Sequence, residues 1–147
     1  MFKRILVPTD GSPGAYEALN CAVAIARKFE SEMHVIYVVE PPAMLTAPYS
    51  ESVLMDVLQA GREAGERALA EATETVRKSS ISRVQSNTLE GQPAEQIVAY
   101  AKDNEIDLVV MGTHGRRGIN RLLLGSIAEE VVRTALVPVM TVRMSAS

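Results

Sequence analysis

The sequence predicts an α/β domain built around an open parallel sheet, and three observations carry that expectation. Short apolar runs alternate with stretches of helical periodicity along the whole chain. Hydrophobic residues make up 47% of the composition but aromatics only 4%, so an aliphatic interior is expected, of the kind buried parallel strands use. Four of the nine glycines fall between Gly112 and Gly125, directly after the fourth apolar run, where α/β proteins hold phosphates.

Lys3 to Thr9 reads as the first strand. Ser12 and Pro13 then supply an N-cap and a proline at the first helical position. Ala15, Ala18, Leu19, Ala22, Ile25, Ala26 and Phe29 recur at three- and four-residue steps and define one core-facing stripe, with Cys21 beside it as a small packing residue. Met33 to Val39 is the second strand, closed by Glu40-Pro41-Pro42, and Pro41 to Tyr49 is a loop.

A long helix is expected from Ser52 to Arg77, with Leu54, Leu58, Gly61, Gly65, Ala68, Ala72 and Val76 on one side and its charges on a solvated face. Ser82 to Leu89 is a more polar strand, suited to a sheet edge. Gln92-Pro93 opens a third helix ending near Asn104, and Asp107 to Met111 is the fourth strand. Ser126 to Thr134 forms the last helix and Val137 to Val142 the last strand. Right-handed crossovers between such strands favour an open parallel sheet with helices on both faces.

The chain of 147 residues is the size of one domain, 1–147, and its formal net charge of −3 leaves no basic footprint for nucleic acid. No apolar stretch approaches the ~18 residues of a membrane span, and the start is too short for a secretory signal. A single cysteine allows no internal disulfide and points to a cytoplasmic protein.

The chemistry concentrates at two loops. Glycines at 112, 115, 118 and 125 allow backbone N–H groups to converge on an anion, because no Cβ blocks close approach. Ser126 and Glu129 have the spacing of a capping box, which is the structural alternative to a phosphate at Gly125 and Ser126. Arg116, Arg117 and Arg121 add local positive charge, either to face phosphate or as solvated loop residues, and His114 is a candidate for phosphate or ribose. Asp10 ends the first strand, where its carboxylate suits Mg²⁺ or ribose hydroxyls, or closes an Asx turn with Gly11 and Ser12. His34 reads as a satisfied packing residue. There is no P-loop lysine, no Gly-x-Gly-x-x-Gly after the first strand, and no Cys/His cluster or Ser-His-acid set converging on these loops.

Gly112-x-x-Gly115, nine residues, then Gly125-Ser126, together with Ile5-Leu6-Val7-Pro8-Thr9-Asp10-Gly11-Ser12, closely resembles the universal stress protein family, in its ATP-binding branch. The resemblance implies strand order 3-2-1-4-5 in an adenine nucleotide alpha hydrolase-like fold, which places the two loops across one crevice. It further implies an ATP site (or ADP or AMP) formed by Pro8, Thr9, Asp10, Val39, Met111, Gly112, His114, Gly115, Arg116, Gly125, Ser126 and Ile127. In it Val39 meets the adenine edge through its backbone, Met111 packs on the purine and Asp10 holds Mg²⁺. It also implies a homodimer through the uncharged final strand, where Pro138 cannot donate a ladder hydrogen bond. The expected function is a cytoplasmic stress-response regulator acting through nucleotide-dependent conformation and a protein partner. The alternatives are a slow Mg-dependent ATPase, using Asp10 with His114 or a water, and a flavin or other adenylate carrier.

Overall fold

The computed structural model describes residues 1–42, 50–114 and 124–144. The described elements are β1 (Arg4–Pro8), α1 (Pro13–Phe29), β2 (Glu32–Val39), α2 (Glu51–Lys78), β3 (Val84–Glu90), α3 (Pro93–Asp103), β4 (Leu108–Gly112), α4 (Ser126–Thr134) and β5 (Val139–Val142). They form one sheet in the order β3-β2-β1-β4-β5, with every neighbouring pair parallel. Most of the loop expected over Pro41 to Tyr49 lies outside the described residues.

Alternation along the central strands builds two cores. Ile5, Val7, Met33, Val35, Leu108 and Val110 pack beneath α1 and α2, while Leu6, Ile36, Val109 and Met111 pack beneath α3 and α4. Burial on both faces explains why these strands read as continuous apolar runs. β3, at one border, exposes Gln85 through Thr88. β5, at the other, begins at Val139 rather than Val137: Pro138 has no N–H to give, and its carbonyl accepts from Val109 N–H at 3.0 Å.

Ser12 caps α1 by accepting from Ala15 N–H at 3.2 Å, with Pro13 at the first helical position. The stripe expected on α1 is buried at Ala15, Ala18, Leu19, Ala22 and Ala26 and half-buried at Ile25, but Phe29 is 44% exposed. It sits in the last turn and meets the Phe2 ring edge-on, with the ring centroids 5.4 Å apart. In α2, Gly61 and Gly65 let the helix descend onto β2, since a Cβ there would come within 2.8 Å of the Val39 and Tyr37 side chains.

His34 is 2% exposed and fully engaged. Tyr100 Oη lies 2.7 Å from its Nδ1 and Glu32 Oε1 lies 2.7 Å from its Nε2. Asn87 donates to Tyr100 Oη at 3.1 Å, so the tyrosine O–H is left to donate to Nδ1 and the imidazole N–H to donate to Glu32. This is a structural network tying β2 and β3 to α3. Cys21 is half-buried, with its Sγ 3.8 Å from Met140 Sδ on β5. No described helix is long and apolar enough to cross a membrane.

Candidate functional site

The strand order reverses direction between β1 and β4, and in open α/β sheets the crevice above such a point takes ligands. The β1 side is a tight, internally bonded turn. Thr9 N–H reaches across to Ile36 carbonyl at 2.8 Å, and Thr9 Oγ1 accepts from Gly11 N–H at 3.1 Å. Asp10 Oδ1 accepts from Ser12 N–H at 2.9 Å, closing the Asx turn that positions the cap of α1. Gly11 has φ +79, a conformation side chains rarely adopt.

On the β4 side, Gly112 ends the strand, and a Cβ there would lie 3.1 Å from the Gly14 carbonyl carbon and oxygen. Close passage of α1 is therefore one physical reason for glycine at this position. Thr113 and His114 follow, and Thr113 carbonyl accepts from Gly125 N–H at 2.7 Å, drawing the start of α4 back to the end of β4. The two sides of the crevice meet at Gly14, whose added Cβ would stand 3.3 Å from the His114 carbonyl oxygen.

The capping box that the spacing of Ser126 and Glu129 allows, the alternative to a phosphate there, does not form. Gly125 is the N-cap, with φ −62 and ψ 160, and no side chain caps the helix. Ser126 is already in the first turn, and the Glu129 carboxylate accepts from Arg133 Nε at 3.1 Å. The reason is positional: a box needs its hydroxyl one residue earlier, at the cap itself. The helix therefore presents its first N–H groups and the positive end of its dipole without a side-chain acceptor. Ser126 and Ile127, in this turn, are exposed.

Pro8, Thr9 and Asp10 thus stand on one side of the crevice, and Gly112, His114, Gly125, Ser126 and Ile127 on the other. Gly115, Arg116, Arg117 and Arg121 lie outside the described residues. Met111 is 6% exposed, in the core beneath α3 and α4. Val39 carbonyl accepts from Gly91 N–H at 3.0 Å, so its backbone turns toward β3. Ile36 carbonyl instead faces β1, where Thr9 N–H reaches it at 2.8 Å. Strand alternation then turns the backbone of Val38, two residues further along, toward β1 and the crevice. The apolar run Val35 to Val39 carries no mark of that parity. Thr113 and Gly14 also belong to the site's framework, and the Ser-Pro-Gly-Ala start of α1 was a legible sign for Gly14.

Among the described residues no three His, Cys, Asp or Glu side chains group to hold a metal. A cation in this crevice would depend on Asp10 together with ligand oxygens. An open groove of about 850 Å³ between α2 and β3, lined by Leu69 and Ala70 among others, lies at the β3 border of the sheet and shares none of these residues.

Fold and crevice together define a doubly wound α/β protein whose last helix starts without a side-chain cap at the switch point. The Universal stress protein family model matches residues 1–143. The chain is 38% identical over 145 residues to Universal stress protein MJ0531 of Methanocaldococcus jannaschii, covering 97% of this chain and 83% of that one. Among solved structures, universal stress protein UspA from Lactobacillus plantarum superposes with a TM-score of 0.86 at 30% identity, covering 97% and 98% of the two chains. The chain belongs to the universal stress protein family. Two more distant folds were solved with nucleotides. One is a universal stress protein in complex with cAMP, with TM-score 0.75, 23% identity and coverage of 98% and 99%. The other, from Archaeoglobus fulgidus in complex with dAMP, has TM-score 0.67, 19% identity and coverage of 96% and 97%.

Proposed function

We propose that this chain binds an adenine nucleotide, with Mg-ATP as the working ligand, and acts as a cytoplasmic stress-response regulator whose nucleotide-dependent conformation is read by partner proteins. The observation that carries this reading is the start of α4, where a helix opens on Gly125 with no side-chain cap at the sheet's switch point. Its N–H groups and dipole suit a phosphate. The complexes of related folds with cAMP and dAMP support adenine as the base.

In this reading Gly125, Ser126 and Ile127 take the phosphates by their backbone, joined by Gly112, His114 and, from the family resemblance, Gly115 and Arg116. Pro8 and Thr9 line the opposite wall, and Asp10 shares Mg²⁺ with the phosphates. The base sits over the ends of β2 and β4, against Met111, and meets the backbone of Val38 with Val39 beside it. Asp10 Oδ1 accepts from Ser12 N–H in its Asx turn, and in this reading the same carboxylate also serves the cation. The protein functions as a homodimer through β5.

The test is thermal unfolding with and without Mg-ATP. A ligand bound only by the folded state adds about 2.7 kcal/mol at a hundredfold excess over its dissociation constant. Absence of any shift at millimolar nucleotide overturns the reading. The alternative of a slow ATPase is separated by turnover: a rate above about 1 s⁻¹, lost in Asp10→Asn, would establish it.

A further inference from the structure

Thr113 is one of the few buried polar residues, 7% exposed, and it makes three hydrogen bonds to three different places. Its N–H donates to Val142 carbonyl at 3.2 Å, its carbonyl accepts from Gly125 N–H at 2.7 Å, and its Oγ1 lies 3.1 Å from His114 Nδ1. The first two hold the backbone of the turn between β5 and α4. The third acts on the His114 ring.

Among the described residues the Thr113 hydroxyl has no other partner, and donation to Nδ1 is the arrangement that would satisfy its proton. A neutral imidazole that accepts at Nδ1 carries its hydrogen on Nε2. A hydroxyl can also reverse and accept from Nδ1–H of an imidazolium, which leaves Nε2–H unchanged. A carboxylate in this place would draw the proton to Nδ1 and make Nε2 an acceptor. A hydroxyl that donates to Nδ1 thus favours the Nε2–H form of the neutral ring, and the imidazolium carries Nε2–H in any case. The ring also stands at the right place: a Cβ on Gly125 would be 3.9 Å from His114 Cδ2, the carbon bonded to Nε2. The Cδ2 side of the ring thus lies beside the uncapped start of α4.

We propose that Thr113 is a positioning residue, which biases His114 toward an Nε2–H donor beside the α4 N-terminus and so adds a side-chain donor for a nucleotide phosphate to the backbone ones. This rests on the nucleotide reading above, and goes beyond it in assigning the tautomer and the residue that sets it. A packing role alone would ask only for shape, which valine supplies.

The experiment joins nitrogen NMR of ¹⁵N-histidine-labelled protein, with His114 assigned by its loss in His114→Gln, to calorimetric titration with Mg-ATP. In the ligand-free wild type, His114 is expected to show a protonated Nε2 and an unprotonated Nδ1. Thr113→Val should mix the tautomers and weaken Mg-ATP binding about five- to tenfold, the scale of one lost hydrogen bond. Thr113→Ser should restore both, and this conservative variant separates the effect from altered packing. A protonated Nδ1 in the wild type, or a valine variant with wild-type tautomer and affinity, overturns the proposal. If the tautomer is as expected but the wild type binds no Mg-ATP, the nucleotide reading fails, and the phosphate-facing role fails with it.

Discussion

Gly112 lies directly over Gly14: a Cβ on Gly112 would approach the Gly14 carbonyl carbon and oxygen to 3.1 Å. The end of β4 and the first turn of α1 are thereby in backbone contact at the base of the crevice. Gly112→Ala must push these two elements apart, and because both atoms approached are backbone there is no rotamer to yield. We expect a loss of about 1–3 kcal/mol, the usual range for overpacking. Urea unfolding checks it, and a midpoint equal to that of the wild type would contradict the contact.

Gly125 separates ligand effects from fold effects less cleanly than a loop position would, because an added Cβ meets Thr113 carbonyl oxygen at 3.1 Å and His114 Cα at 3.4 Å. Its φ of −62 is open to any residue. Gly125→Ala should therefore fold, with a modest loss of stability, while disturbing the hydrogen bond that holds α4 to β4. The informative quantity is the additional stabilisation by Mg-ATP, which should shrink or vanish in the variant. Equal nucleotide-induced shifts in the two proteins would remove the α4 start from the site.

Tyr100 should titrate late. Burial pushes its phenol above the ordinary range, the Asn87 hydrogen bond opposes this, and the negative Glu32 adds to the rise. The folded state thus holds the phenolic proton more tightly than the unfolded chain. Its contribution to stability is complete below the unfolded value of about 10 and is lost as pH climbs through the higher folded value. Ultraviolet titration of tyrosinate in wild type and Tyr100→Phe should differ by one late-titrating group. The same variant removes a partner from both His34 and Asn87, with an expected cost of about 1–3 kcal/mol near neutral pH.

The free border of β5 should govern assembly. Leu136 is 84% exposed and Met140 38% exposed beside a strand that pairs on one side only with β4. Val139, by contrast, packs against the core beneath α3 and α4, so a charge there would damage the fold before it tested an interface. A Leu136→Lys, Met140→Lys double variant should sediment as a monomer where the wild type sediments as a dimer. A wild type that stays monomeric at tens of micromolar rules the β5 dimer out.

The sequence by itself determined the number and kind of the elements. Apolar period separates strands from helices locally, and residues such as Ser12, Pro13 and Pro93 mark helix starts through neighbours three or four positions away. It also marked the two loops of the crevice, because Asp10-Gly11-Ser12 and the glycine spacing need only near neighbours to be read. What sequence alone did not decide were relationships between residues far apart in the chain. Ser126 matched a capping box by spacing, yet the carbonyl of Thr113 holds Gly125 as the cap and leaves the serine one place too late. Phe29 matched the helical stripe, yet at the last turn of α1 it stays exposed and pairs edge-on with Phe2. Val38 and Val39 are chemically alike, and only pairing with β1 and β3 determines which backbone turns to the crevice. Periodicity and capping are carried by covalent neighbours, whereas register, parity and close approach come into being only when β1, β4 and α1 are packed together.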